Sequence, residues 1–141
     1  MLGPKLKGDS SAISSVSGDA SNDVWFAGSD NYNALLMRRN GNRWTIWKVH
    51  HGDSCTLNGV KAISPTEVVA VGELDPNTVP QEPAIFLYDG ASLTLQSIPS
   101  TPSEAALLGV GGGTRSVFAV GYDAWDNDNV KSHTLVMHSG S

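Results

Sequence analysis

The chain has 141 residues, 40% of them hydrophobic and 16% charged, with a net charge of −5. This length makes a single domain with a real core, and the composition excludes a disordered chain. No run approaches the roughly 18 apolar residues of a membrane-crossing helix, and a lone cysteine, Cys55, excludes a disulfide within the chain.

In chain order, the first segment is "MLGPKLK" (1–7), a poor strand former with a proline and no apolar run of secretory length; it assigns no compartment. Small-residue "ISSVSG" (13–18) predicts a first strand, and "DVWFAGS" (23–29) a second, joined by turn chemistry in "ASND" (20–23). "LLMRRN" (35–40) and "WTIWKV" (44–49) follow as a hairpin across Asn40-Gly41, since glycine adopts positive φ without strain. The same order then recurs. "LNGVKAIS" (57–64), "EVVAVGE" (67–73), "IFLYDG" (85–90) and "LTLQSI" (93–98) form a second set, with turns at "SPTE" (64–67) and Asp89-Gly90. "LLGVGGG" (107–113), "SVFAVGY" (116–122) and "LVMHSGS" (135–141) begin a third. No segment carries a helical period.

Gly28, Gly72 and Gly121 align with spacings of 44 and 49 residues, and Gly41, Gly90 and Gly140 with spacings of 49 and 50. Three anchors in one order, three times over, define a repeat of four short antiparallel strands, which is the period of a β-propeller blade. The stretches "SGDASNDVWFAG…RRNGNRWTIWKV" and "LNGVKAISPTEVVAVG…FLYDGASLTL" resemble bacterial propeller repeats with a D-V-W-A-V-G core and an N-G-x-x-W turn. The best matches are Asp23, Val24, Trp25, Ala27 and Gly28, then Asn40, Gly41 and Trp44; Val69 and Phe118 depart from the strand-two Trp and Leu93 from the strand-four Trp. The resemblance implies a fold and no particular activity.

The expected fold is therefore all-β: residues 1–141 form one three-blade propeller segment, with units at about 8–50, 52–99 and 104–141. The third unit stops after three strands, while "GDSSAISSV" (8–16) aligns without gaps to "GDSCTLNGV" (52–60). Residues 1–7 thus stand where a fourth strand belongs and are expected to complete the last unit, of the same or another copy. Closed propellers need four to eight blades, so the expected partner is the chain itself, as a homodimer or higher oligomer. The alternative is a piece of a longer propeller.

In such a repeat the first-to-second and third-to-fourth turns share one face, and the remaining loops share the other. That other face carries "SDNYNA" (29–34), "ELDPNTVPQEPA" (73–84) and "YDAWDNDNVKSH" (122–133), longer than a turn demands. Trp125 among Asp123, Asp126, Asp128 and Asn129 suits stacking on a sugar ring, with carboxylates and amides for its hydroxyls; Tyr32 beside Asp30 repeats the combination. The plainer reading is that Trp125 caps its blade and the acids solvate the loop. Asp126-x-Asp128 hints at Ca²⁺ but lacks the complete ligand loop, and His50, His51 and Cys55 lack zinc spacing, so no metal or cofactor is expected.

"GVGGGT" (109–114) reads as a turn between strands: it lacks the Lys-Ser/Thr of a phosphate loop. "MRR" (37–39) reads as a solvated basic spot, and Trp25, Val69 and Phe118 as equivalent packing positions between blades. Residues 1–70 carry seven Lys/Arg and six Asp/Glu, residues 71–141 two and eight. That acidic half, without a basic stripe, repels phosphate backbones, and neither a nucleic acid nor a membrane is an expected partner. No nucleophile or acid/base pair is discernible. The expected function is a non-catalytic binding module whose loop face recognises a carbohydrate or a protein surface. The alternatives are a structural assembly element and, less favoured, a glycosidase- or lyase-type enzyme.

Overall fold

A computed structural model describes residues 3–75, 81–98, 104–125 and 131–140. These residues form eleven strands and no helix. The first sheet is β1 (Ser11–Ala20), β2 (Asp23–Asp30), β3 (Asn33–Asn40) and β4 (Arg43–Val49); the second is β5 (Ser54–Ser64), β6 (Glu67–Asp75), β7 (Glu82–Tyr88) and β8 (Leu93–Leu95). The third holds β9 (Glu104–Gly113), β10 (Ser116–Trp125) and β11 (Lys131–Gly140). Every neighbouring pair is antiparallel and consecutive in sequence.

Each first strand carries a bulge opposite the aligned glycine. The ladder skips Ser14 beside Gly28, Asn58 beside Gly72 and Leu108 beside Gly121. At all three glycines a Cβ would overlap a carbonyl oxygen of the bulged strand, that of Ala12, Thr56 or Ala106. Only glycine lets the second strand approach so closely. The sequence repeat is thus the imprint of one backbone contact made three times.

The sheets stack in a fixed relation. β5 lies against β1, β2 and β3, and β9 takes the same place against β5, β6 and β7. Alternation along the second strands sets the two faces. Trp25 and Ala27 of sheet one pack with Val68 and Ala70 of sheet two; Val69 and Val71 then pack with Val117 and Ala119 of sheet three. Trp25 is fully buried and meets Trp47 at 5.4 Å and Tyr88 of sheet two at 4.9 Å, centroid to centroid. Burying aromatic rings of this size dominates the energetics of the joint. Polar ties supplement it, with the Ser15 and Ser17 hydroxyls accepting from the Val60 and Ala62 amides, while the Asn58 amide donates to the Leu107 carbonyl.

Several expectations need correction. The third sheet has three strands among the described residues, and within the single chain residues 3–8 form no strand on its edge. They run along sheet one instead, with Gly3 beside Trp44 and Gly8 against Asp30 and Asn31; two glycines and a proline in that stretch offer little to a ladder. The fourth strand of unit two is only Leu93–Leu95, although the Gln96 amide still donates in register to the Ile85 carbonyl. "GVGGGT" is not a turn: Gly109 to Gly113 belong to β9, and the turn is Thr114 and Arg115. Phe118, equivalent to buried Trp25 and Val69, is 46% exposed, and among the described residues no further sheet packs on its side of the third sheet.

Candidate functional site

Two ends of the sheets offer surface for a ligand. The first is the end where β2 meets β3, β4 leads to β5, and β10 turns to β11. Its best described corner is built on Asn31 and Tyr32, a two-residue hairpin with both residues at positive φ, 47° and 67°. Such turns match the twist of the strands they join but favour glycine or asparagine; a tyrosine there is held against its own preference. The holding contacts are visible. The Tyr32 carbonyl accepts from the Cys55 amide at 2.8 Å, and the Asn31 amide donates to the Ser10 carbonyl at 2.8 Å. The Asn33 side-chain amide donates to the Asp30 and Asn31 carbonyls, both at 3.1 Å, and its oxygen lies 2.9 Å from His50 Nδ1. The tyrosine ring itself is 71% exposed. The loop expected at 29–34 is therefore a tight turn, and its aromatic tip is presented rather than mobile.

Asp30 does not join that tip. It is 1% exposed and ion-paired with Lys48 across the sheet, so its carboxylate is committed to structure. The segment expected as a loop at 122–133 is also shorter, since Tyr122, Asp123, Ala124 and Trp125 pair in β10 with Thr134, His133, Ser132 and Lys131. The ladder extends because alternate positions of both strands suit a pleated surface. Asp123 is half-buried on this strand, and Trp125 is its last residue, at the same end of the sheets as Tyr32. Asp126, Asp128 and Asn129 lie outside the described residues, as does the Asp126-x-Asp128 pair. Among the described residues no group of three His, Cys, Asp or Glu side chains is placed to hold a metal. His50 and His51 are exposed, and Cys55 is fully buried, its thiol pushed up to about 12 by burial.

The opposite end holds an open cavity of about 250 Å³ where the first strands of all three sheets finish. Its walls are Gly18 and Asp19 of β1, Lys61 to Ile63 of β5, and Gly113 with Thr114. One oxygen of Asp19 is buried with no hydrogen-bond partner among the described residues. Sequence reasoning passed over this end because its turns are short; the signal present was the small residues at equivalent positions, Gly18, Ala62 and Gly112.

Nearby, "MRR" proves to be internal structure. Arg38 makes a bidentate pair with Asp23 at 2.7 and 2.5 Å and sits 4.9 Å over the Trp25 ring. Both side chains are largely covered, at 17% and 8% exposure. The hydrogen bonds to Asp23, helped by the charges of Asp23, Tyr88 and Asp19, raise the Arg38 pKa further and keep it charged. A fork-shaped guanidinium fits a carboxylate on one side and an aromatic face on the other, so the expected solvated spot is a pinned one.

Comparison with protein-family models, with curated proteins and with solved structures finds no match. Among the described residues no helix is long and apolar enough to cross a membrane.

Proposed function

We propose that the chain is a non-catalytic binding module whose three sheets are blades of a β-propeller, and whose β2–β3 and β10–β11 end recognises a carbohydrate. The observation that carries this reading is Tyr32, an aromatic ring 71% exposed on a left-handed hairpin turn fixed by backbone hydrogen bonds. Backbone strain retained at an exposed aromatic residue points to use of that ring. A rigid ring loses little entropy on binding and stacks on the apolar face of a sugar, while polar neighbours such as Asn31 serve its hydroxyls. Trp125, the last residue of β10 at the same end, is assigned as the second aromatic contact, with Asp123 on the same strand. Support for the propeller reading is the blade-length repeat together with a sheet-to-sheet packing relation that occurs twice unchanged.

No catalytic step is assigned, and the Asp30 carboxylate is withdrawn from the ligand set by its pair with Lys48. A glycan array tests the proposal. Selective binding should fall at least tenfold in both Tyr32→Gly and Trp125→Ala. Tyr32→Gly should meanwhile gain about 1 kcal/mol of stability, because glycine relieves the positive-φ strain. Silence of the wild-type chain across the array overturns the carbohydrate reading and favours a protein ligand for the same tip.

A further inference from the structure

We infer that the two end faces of the stack are halves of one interface, and that each is covered by a second copy of this chain. This deepens the binding-module reading and rests on its blade assignment. The two internal joints use the same elements: the forward face of one sheet, at Trp25 and Ala27 or Val69 and Val71, meets the rear face of the next, at Val68 and Ala70 or Val117 and Ala119. Among the described residues no sheet lies beyond the forward face of sheet three, where Val120 is 44%, Val136 57% and Leu108 53% exposed. Sheet one presents a rear face in the same state, where Val16 is 61% and Ile46 39% exposed. Val16 stands opposite Phe26 and Ile46 opposite Met37, so these side chains share one surface. Phe118 and Val120 hold the ladder positions of Trp25 and Ala27, and Val24 and Phe26 those of Val68 and Ala70. The missing joint is therefore continuous with the two that exist.

The occupant is identified by this complementarity, since sheet three fits a sheet-one rear face and the chain's own sheet one lies two sheets away. Charge agrees, because residues 1–70 carry seven basic and six acidic side chains and residues 71–141 two and eight. The place of residues 3–8 supplies a second, independent observation. By the gapless alignment of 8–16 with 52–60, Gly3 corresponds to Trp47 and Trp44 lies beside Arg39, the counterpart of Tyr88. Trp47 packs on Tyr88 across the internal joint, and Gly3 packs beside Trp44. Residues 3–8 thus lie on sheet one as β4 lies on sheet two, which is where the fourth strand of a preceding sheet belongs. In the second copy that preceding sheet is sheet three, whose β11 edge has no partner among the described residues. Two copies joined by two identical junctions make a ring of six sheets, which falls within the four to eight blades of closed propellers.

Light scattering on the eluting protein should give twice the chain mass of 14.8 kDa. Val16→Asp and Val120→Asp, each spoiling one half of the junction, should each elute at the single-chain mass with an unchanged β-sheet circular dichroism spectrum. Both residues are exposed in the single chain, so neither change opens its core. An equimolar mixture retains one intact junction and should recover the doubled mass. A monomeric wild-type chain overturns the inference, as does a dimer that survives either substitution; a mixture that stays monomeric overturns the pairing of unlike faces. Glycan binding by the monomeric variants leaves the proposed function standing in each of those cases.

Discussion

At the scale of single residues, the molecule assigns similar side chains to opposite tasks according to their surroundings. In the sequence Asp23 reads as turn chemistry and Asp30 as a ligand-binding loop residue, yet each is 5% exposed or less and holds a cation. Asp23 holds Arg38 against Trp25, so removing the guanidinium leaves a covered carboxylate unpaired. Arg38→Met should lower unfolding stability by about 2–3 kcal/mol, measured as the urea midpoint at constant m. Arg38→Lys should recover little of the loss, because an ammonium cannot reproduce the two parallel bonds or the flat stacking. A loss within about 0.5 kcal/mol for Arg38→Met, the range of an ordinary surface change, contradicts the pinned role. Neither pairing was legible beforehand. Alternation places Trp25 and Arg38 opposite each other once the register is known, but the register itself is a tertiary result.

Among elements, the hairpin ladders explain why the aligned glycines were readable and the loop lengths were not. Gly28, Gly72 and Gly121 face the same carbonyl contact at the same bulge. Alanine at any of them must push the two strands apart, and each single Gly→Ala change should cost about 2–4 kcal/mol in chemical denaturation. Gly111 is the control, because a methyl group added there would meet nothing within 4 Å. Gly111→Ala should be neutral or stabilising by up to about 1 kcal/mol. Equal tolerance at all four positions contradicts the shared bulge. Strand existence and order followed from β-branched runs between turn residues. Strand ends did not: β2 runs to Asp30 and β10 to Trp125, because ladder hydrogen bonds extend pairing past the point where composition turns polar.

For the whole molecule, coverage sets stability. Among the described residues sheet two is packed on both faces and sheet three on one. In the monomeric Val120→Asp chain, amide exchange should therefore be slowest in β5, β6 and β7 and faster across β9 to β11, with the slowest sheet-two amides at least tenfold more protected. Uniform protection across the three sheets contradicts a stack whose ends are open. The candidate ligand face divides in the same way. Tyr32 is legible as an aromatic among asparagines, while its exposure, and the loss of Asp30 to Lys48, depend on how the sheet edge closes.

The sequence by itself determined the periodic part of this protein: three units, antiparallel strands, connections carrying Gly41 and Gly90, and one glycine per unit under steric compulsion; the first turn itself falls one residue later than expected, on Gly41 and Asn42. Those features are local, because strand alternation, turn chemistry and the cost of a Cβ act within a few residues and leave their mark at each repeat. Tertiary structure alone decided which acids were consumed by cations, where the cavity opened, and which face of each terminal sheet stayed bare. Such outcomes depend on what lies across from a side chain, and that is set by register and sheet stacking between residues far apart in the chain.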